Sequence, residues 1–404
     1  MRPADVEIAI IGAGPAGTTA ATLLARAGRE VTVFDRASFP RDKCCGDGLT
    51  ALALRELETL GLSPTTVESW QPVDNVVVRS PSGREIRYPL PEGPGIHAAV
   101  ARREDLDNAL MELARSAGAD VRESTPLRDA TATDGGVELR VGDDEYLNAR
   151  HVIAADGMWS PTRKALGLAV DGYRGEWHAF RQYFRDVSPR ASRELVVWFE
   201  KDLLPGYAWS FPLADGRANI GFGIQRGGKH TVGDMKDLWT DLLARPHVRD
   251  ILGPDARPED RHLAWPIPAR VGRVPLVGPS TLFVGDAAAV TDPMTCEGIG
   301  QAILTGRLAA EAILGDDDPK RAYEHEVRRE LVADDRMARA LIPLLGRPLI
   351  AQGAIRLTGA TGWTRRNFAR WMFEDYPRAM IATPRRWHRG MFTGSGAFAK
   401  DTAG

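Results

Sequence analysis

Sulfur is scarce in this chain. Of 404 residues only three are cysteine, and two of them, Cys44 and Cys45, are adjacent. Three thiols cannot build a disulfide framework and sequence neighbours rarely bridge, so the pattern favours a reducing cytoplasm. The eight histidines show no HxxxH or paired Cys/His spacing, and no metal is expected. No run of about eighteen apolar residues occurs, which argues against a helical bilayer span. The formal net charge is −2, which argues against a general nucleic-acid binder with its basic surface. The chain enters an apolar strand at Val6 without the basic-then-apolar pattern of a secretory leader. What remains is a soluble globular profile, 43% apolar and 26% charged, long enough for two or three packed domains.

The strongest signal present is VEIAIIGAGPAGTTAATLLARAGREVTVFDR, which reads as strand, glycine turn, helix and second strand. Gly12 permits the tight turn, Gly14 lets the backbone approach a pyrophosphate, and Gly17 lets the helix pack on the strand. Ala16 lies in the helix's first turn, whose free N–H groups face the phosphates. Asp35, followed by Arg36, ends the second strand and is expected to receive an adenosine ribose. A helix over 104–117 follows Arg103, with Leu127 beyond it, and both residues are assigned to the cofactor.

Two further buried strands end in acid–glycine pairs, Asp156-Gly157 and Gly285-Asp286. The second runs through Pro293 to a long helix from about Gly298 and Ile299. Together with the opening turn they have the order found in FAD-containing proteins of the aromatic-hydroxylase type. In those proteins the second acidic dipeptide meets the ribityl chain, and the following helix directs its positive end at the flavin pyrimidine. The expected fold is therefore α/β, a Rossmann-type FAD-binding domain with a parallel sheet assembled from 1–70, 97–167 and 273–316. The segments 71–96 and 168–272 alternate as short strands and are expected to form an antiparallel substrate domain. Residues 317–404 form a helical region. In the strand GYAWSFP, Tyr207, Trp209 and Phe211 share one face, with Ala208 and Ser210 on the other.

The chain resembles the geranylgeranyl reductase family of flavoproteins over roughly residues 6–345. The resemblance rests on GAGPAG, FPRDKCCGDGL, ARREDLD, PGYAWSFP with the downstream NIGFG, and VGDAA…DPMTCEGIGQAI. Lys43, Cys45, Gly46 and Gly48 match the family's Lys-x-Cys-Gly…Gly loop, and Tyr207, Trp209, Phe211 and Pro212 match its Tyr-x-Trp-x-Phe-Pro strand. Members reduce carbon–carbon double bonds of polyprenyl chains in archaeal lipids, chlorophyll side chains or menaquinone tails. The resemblance implies noncovalent FAD, a catalytic neighbourhood of Cys45, Tyr207 and Trp209, and a substrate wall of Tyr207, Trp209 and Phe211. It leaves Cys44 as a filler. One departure stands out: Cys296 occupies the place of the first glycine in the family's Pro-x-x-Gly-Glu-Gly-Ile, where glycine allows positive φ.

An isolated trisubstituted alkene has no carbonyl to polarise it. Its reduction needs a proton as well as a hydride, in a dry pocket whose aromatic faces tolerate positive charge. Cys45, Cys296, Glu297 and an ordered water are all candidate donors. The electron source is a nicotinamide nucleotide or a ferredoxin-type protein, and no second glycine motif distinguishes them.

Residues 341–395 hold nine arginines against two acids, interleaved with aromatics, as either a solvated helical face or a membrane-interface surface on the inner leaflet. The stretch from Gly394 reads as a frayed tail. Two alternatives accompany the prenyl reductase: an FAD monooxygenase or halogenase on the same scaffold, and a non-catalytic flavin-binding redox sensor. The Trp-x-Trp-x-Ile-Pro signature of flavin halogenases is absent.

Overall fold

Five parallel strands carry the turns that the glycines mark. In the computed structural model, which describes residues 4–387 and 391–399, the central strand Ala4–Ile11 lies between Val31–Phe34 and Glu145–Ala154. Asp120–Arg122 and Thr281–Phe283 continue the sheet outward on either side. Val31–Phe34 is buried at every residue, as a strand covered on both faces requires. Helices Pro15–Arg26, Arg103–Ser116 and Ile299–Gly315 contribute to the core around this sheet. Pro15 starts its helix with a φ already set for the first turn. Pro15–Arg26 and Ile299–Gly315 pack so closely that a Cβ on Gly306 would strike the Ala16 carbonyl.

The second sheet orders Trp177–Arg185, Arg217–Gln225, Ala208–Leu213, Leu195–Trp198, Asn75–Arg79 and Glu85–Pro89 side by side. It is antiparallel except at one pair: Leu195–Trp198 runs parallel to Asn75–Arg79. That parallel pair joins the early hairpin to the later strands, a long-range contact that local alternation cannot reveal. One face packs Phe180, Ala208, Ile220 and Phe222 against helices Met235–Ala244 and Pro246–Leu252. Trp209 and Phe211 belong to the other face, with Tyr207 just ahead of the strand.

Asp318 caps the helix Pro319–Leu345 by accepting the Arg321 N–H at 3.3 Å. Helices Pro348–Thr358 and Gly362–Met372 then fold back over the second sheet, where Tyr88 Oη donates to the Ile355 carbonyl at 3.0 Å. The basic balance of 341–395 is partly internal. Arg370 and Arg378 are buried in ion pairs with Asp375 and Asp292, and Arg386 pairs with Asp334 at 2.9 Å. Arg347, Arg356, Arg366 and Arg385 stay exposed, and Arg389 lies outside the described residues. The tail does not fray where it is described: Ala397 bridges to Ile96, and Phe398 is buried with its ring against Trp70 at 5.9 Å. Burying Phe398 on the helix Ala51–Leu60 gives this stretch its anchor.

Candidate active site

Asp35 fixes the first turn. The Ala13 N–H donates to Asp35 Oδ2 at 2.7 Å and the Ala37 N–H to Oδ1 at 2.8 Å, tying the ends of two strands together. Gly12 sits at φ +105°, and a Cβ there would collide with the Ala155 carbonyl. A Cβ on Gly17 would collide with the Gly12 carbonyl, whereas one on Gly14 would meet nothing nearer than the Arg41 guanidinium at 3.9 Å. The turn is thus closed on two sides and open on the third, in front of a helix N-terminus and beside a cation. These residues fit the pyrophosphate of FAD.

From Gly14, Pro15 and Ala16 a cleft runs past Cys44–Gly48 to Gly285, Asp286, Gly298 and Ile299. The N-termini of Pro15–Arg26 and Ile299–Gly315 therefore open on one cavity. Asp286 edges it, with Lys43 Nζ at 3.4 Å. Arg103 lines it while gripping Asp107 through two hydrogen bonds of 2.7 Å, and Arg41 joins the same carboxylate at 2.9 Å. Gly12, Gly17 and Asp35 shape the turn without bordering the cleft. Asp156 is turned away, accepting from Ser160 Oγ at 2.6 Å and the Thr162 N–H at 2.8 Å, and its neighbour Gly157 lines the cleft instead. Three more residues that the sequence associates with the cofactor do not border this cleft. Arg36 is exposed, Leu127 packs on the cluster of Ile11, Phe34 and Val141, and Pro293 borders a separate polar cavity.

The loop Cys44–Gly48 is pressed against the aromatic strand. A Cβ on Gly46 or Gly48 would sit 3.3 or 3.1 Å from the Phe211 ring, so only glycine leaves the wall in place. Asp47, at φ +65°, is fully buried and accepts from Tyr183 Oη at 2.7 Å and Asn219 Nδ2 at 2.8 Å. Asn219 Nδ2 also donates to the Cys45 carbonyl at 2.8 Å, and its Oδ1 accepts the Trp209 indole N–H at 3.1 Å. One amide thereby couples loop to wall. Burial raises the Asp47 pKa to about 6, against the pull of Arg181 and its hydrogen bonds. Asp47 and Asn219 lie within the motifs FPRDKCCGDGL and NIGFG, but the sequence assigned neither of them a role.

Burial also pushes the thiols up. Cys44 rises to about 12, and Cys45 rises despite the neighbouring Arg103. Cys296 rises through burial with the negative neighbours Asp292 and Glu297. Its backbone keeps the conformation expected of the glycine it replaces, φ +59°. The loop is held by the Cys296 N–H on the Asp292 carbonyl at 2.9 Å, and by Tyr207 Oη donating to the Thr295 carbonyl.

A second, apolar cavity lies between the inner face of the antiparallel sheet and the C-terminal helices. Val76, Leu195 and Val197 form one wall, and Ile342, Ile355, Phe368 and Trp371 the other. Gly48, Tyr207, Phe211 and Glu297 border both cavities. The aromatic rings follow one another, Tyr207 to Trp209 and Trp209 to Phe211, each at 6.0 Å between centroids. The wall supplied by residues 341–373 was missed from sequence; the i, i+3/i+4 spacing of its apolar residues was the available signal. Among the described residues no helix is long and apolar enough to cross a membrane.

Residues 5–332 match the family described as FAD binding domain. The chain is 34% identical to a menaquinone reductase of Mycolicibacterium smegmatis over 386 residues, 88% of each chain. It is 29% identical to digeranylgeranylglycerophospholipid reductase 1 of Methanopyrus kandleri, covering 79% of this chain and 84% of that one. A geranylgeranyl bacteriochlorophyll reductase-like protein of Thermoplasma acidophilum shares the fold, with a TM-score of 0.79 at 22% identity over 95% of this chain and 100% of that one.

Proposed function

Because this chain belongs to the geranylgeranyl reductase family of FAD-dependent oxidoreductases, we propose that it reduces carbon–carbon double bonds in a polyprenyl chain. The observation that carries this reading is the junction of the two cavities. One is a cleft whose glycine turn and two helix N-termini suit a dinucleotide; the other is an apolar space suited to a hydrocarbon tail. They meet at Tyr207, Phe211 and Glu297, so a tail in the second brings a double bond to the edge of the first. The relatives named menaquinone reductase and digeranylgeranylglycerophospholipid reductase support the same substrate class.

When bound and reduced, FAD supplies two electrons and one hydrogen to the alkene. Gly14, Pro15 and Ala16 would hold its pyrophosphate, Asp286 its ribityl side, and the N-terminus of Ile299–Gly315 would stabilise negative charge on its ring. Tyr207, Trp209 and Phe211 exclude water and offer π faces to positive charge developing on a tertiary carbon. The electrons enter from a nicotinamide or ferredoxin-type donor. The lipid arrives from a membrane surface, where Leu349, Leu357 and Trp363, 83%, 72% and 68% exposed, stand with Arg356 and Arg366. The test is anaerobic incubation of reduced protein with a prenyl-lipid extract, read by mass spectrometry. Products heavier by two hydrogens support the reading, and a strict oxygen requirement with oxygenated product replaces it with a monooxygenase.

A further inference from the structure

Glu297 is the acidic side chain that both cavities share. It sits on the loop that enters the Ile299–Gly315 helix, directly before the glycine at the helix N-cap. A Cβ on Gly48 would stand 3.4 Å from Glu297 Oε1 and 3.1 Å from the Phe211 ring, which fixes the carboxyl beside the aromatic wall. Among the described residues its carboxyl takes part in no hydrogen bond or ion pair, although charged groups surround it. Arg378 is committed to Asp292 at 3.0 Å and Glu374 at 3.4 Å. Cys45 faces it from the glycine loop, Tyr207 from the aromatic strand, Glu374 from beyond the last helix, and Asp292 and Cys296 from its own loop. A carboxyl without a cation of its own, at the mouth of a hydrocarbon cavity, is built to be a neutral acid.

We propose that Glu297 is the catalytic acid that protonates the prenyl double bond, an assignment that rests on the reductase reading above. The π pair takes the Glu297 proton at one carbon. The other carbon would take two electrons and one hydrogen from bound reduced FAD, whose electrons a nicotinamide- or ferredoxin-type donor would restore. The resulting carboxylate regains its proton from water. Glu374 offers the route: it borders the large polar cavity with Gln301, whose Nε2 donates to it at 2.7 Å, and Thr50 Oγ1 donates to it at 2.9 Å.

Acid strength separates Glu297 from the thiols around it. Burial, then the charge of Glu374, lifts Glu297 to about 8 against the pull of Arg378, so it keeps its proton at neutral pH. Cys44, at about 12, and the raised Cys45 and Cys296 hold theirs more tightly and release them less readily.

Two measurements on the flavin-loaded protein test the assignment. Infrared titration should show a protonated carboxyl band that disappears as pH passes about 8, absent from Glu297→Gln and retained in Cys45→Ser. Anaerobic single turnover with geranylgeraniol in detergent should slow by about 100-fold or more in Glu297→Gln, with FAD stoichiometry unchanged. Should Glu297→Gln fail to hold FAD, Glu297→Asp serves: it keeps the carboxyl band but sets the acid back by one methylene, with turnover slowed about tenfold or more. A Glu297→Gln protein that turns over within fivefold of wild type, or that keeps the titrating band, overturns the assignment alone. Wild-type protein that reduces no prenyl probe overturns the reductase reading and the assignment with it.

Discussion

At Cys296 the side chain changed and the backbone did not. The residue holds φ +59°, a region that costs a non-glycine residue roughly 1–2 kcal/mol. Its sulfur packs near Trp177, Ala269 and Ile342, which offsets part of that cost. Cys296→Gly should therefore be more stable than Cys296→Ala by about 1 kcal/mol, because alanine keeps the strain and loses the sulfur. Urea unfolding measures the difference, and equal midpoints for the two variants would remove strain from the account. Glu297 gives a second test at this scale. Its folded pKa, about 8, lies above the ordinary 4.5, so the folded state binds the proton more tightly. That stabilisation is fully present below about 4.5 and is lost as pH rises through about 8. Glu297→Gln should gain on wild type between pH 5 and pH 9, by an amount on the order of a few kcal/mol. Parallel stability curves across that range would contradict the burial argument.

At the scale of the element, the aromatic strand depends on its neighbour. Trp209 pairs with Gly221 and Phe211 with Asn219 across the ladder. A Cβ on Gly221 would collide with the Trp209 indole and stand 2.6 Å from the Phe180 carbonyl, so the indole has only this place to lie. Asn219→Ala should cost roughly 2–3 kcal/mol, since it leaves the Trp209 N–H, the Cys45 carbonyl and Asp47 without their shared partner. Denaturant unfolding reads the cost, and flavin retention reads whether the glycine loop has lost its position. A change below about 0.5 kcal/mol with flavin binding intact would show that the amide clamps nothing. The face shared by Tyr207, Trp209 and Phe211 was legible from alternation alone. The clamp was not, because Asn219 and Asp47 are 172 residues apart and meet only when the sheet closes over the loop.

For the whole molecule, the C-terminal helices serve two surfaces. Their inner residues wall the apolar cavity, and their outer ones expose Leu349, Leu357 and Trp363 with a reduced set of arginines. Binding to anionic vesicles should weaken with salt, as screening cuts the reach of exposed arginines to about 8 Å at physiological ionic strength. Arg356→Glu with Arg366→Glu should abolish vesicle sedimentation while sparing turnover on detergent-solubilised substrate, since neither side chain lines the cleft or the apolar cavity. Arg386→Glu should behave differently: it breaks the pairs with Asp334 and Glu330 and lowers the thermal midpoint. Unaltered sedimentation in the double variant would leave the membrane surface without support.

The sequence by itself determined the parallel sheet, the glycine turn and the aromatic face, because each depends on residues within one strand–turn–helix unit or one strand. A turn needs its glycine, and a two-sided strand needs its apolar run, whatever the rest of the chain does. Tertiary structure alone decided what those pieces enclose. It put the loop Cys44–Gly48 against a strand 160 residues later, joined Asn75–Arg79 to Leu195–Trp198, and spent Arg370, Arg378 and Arg386 on internal acids. It also set Glu297, half-buried, between two cavities without a cation of its own. Such contacts follow from packing between segments far apart in the chain, and solvation and charge at a buried site are set by every segment that closes around it.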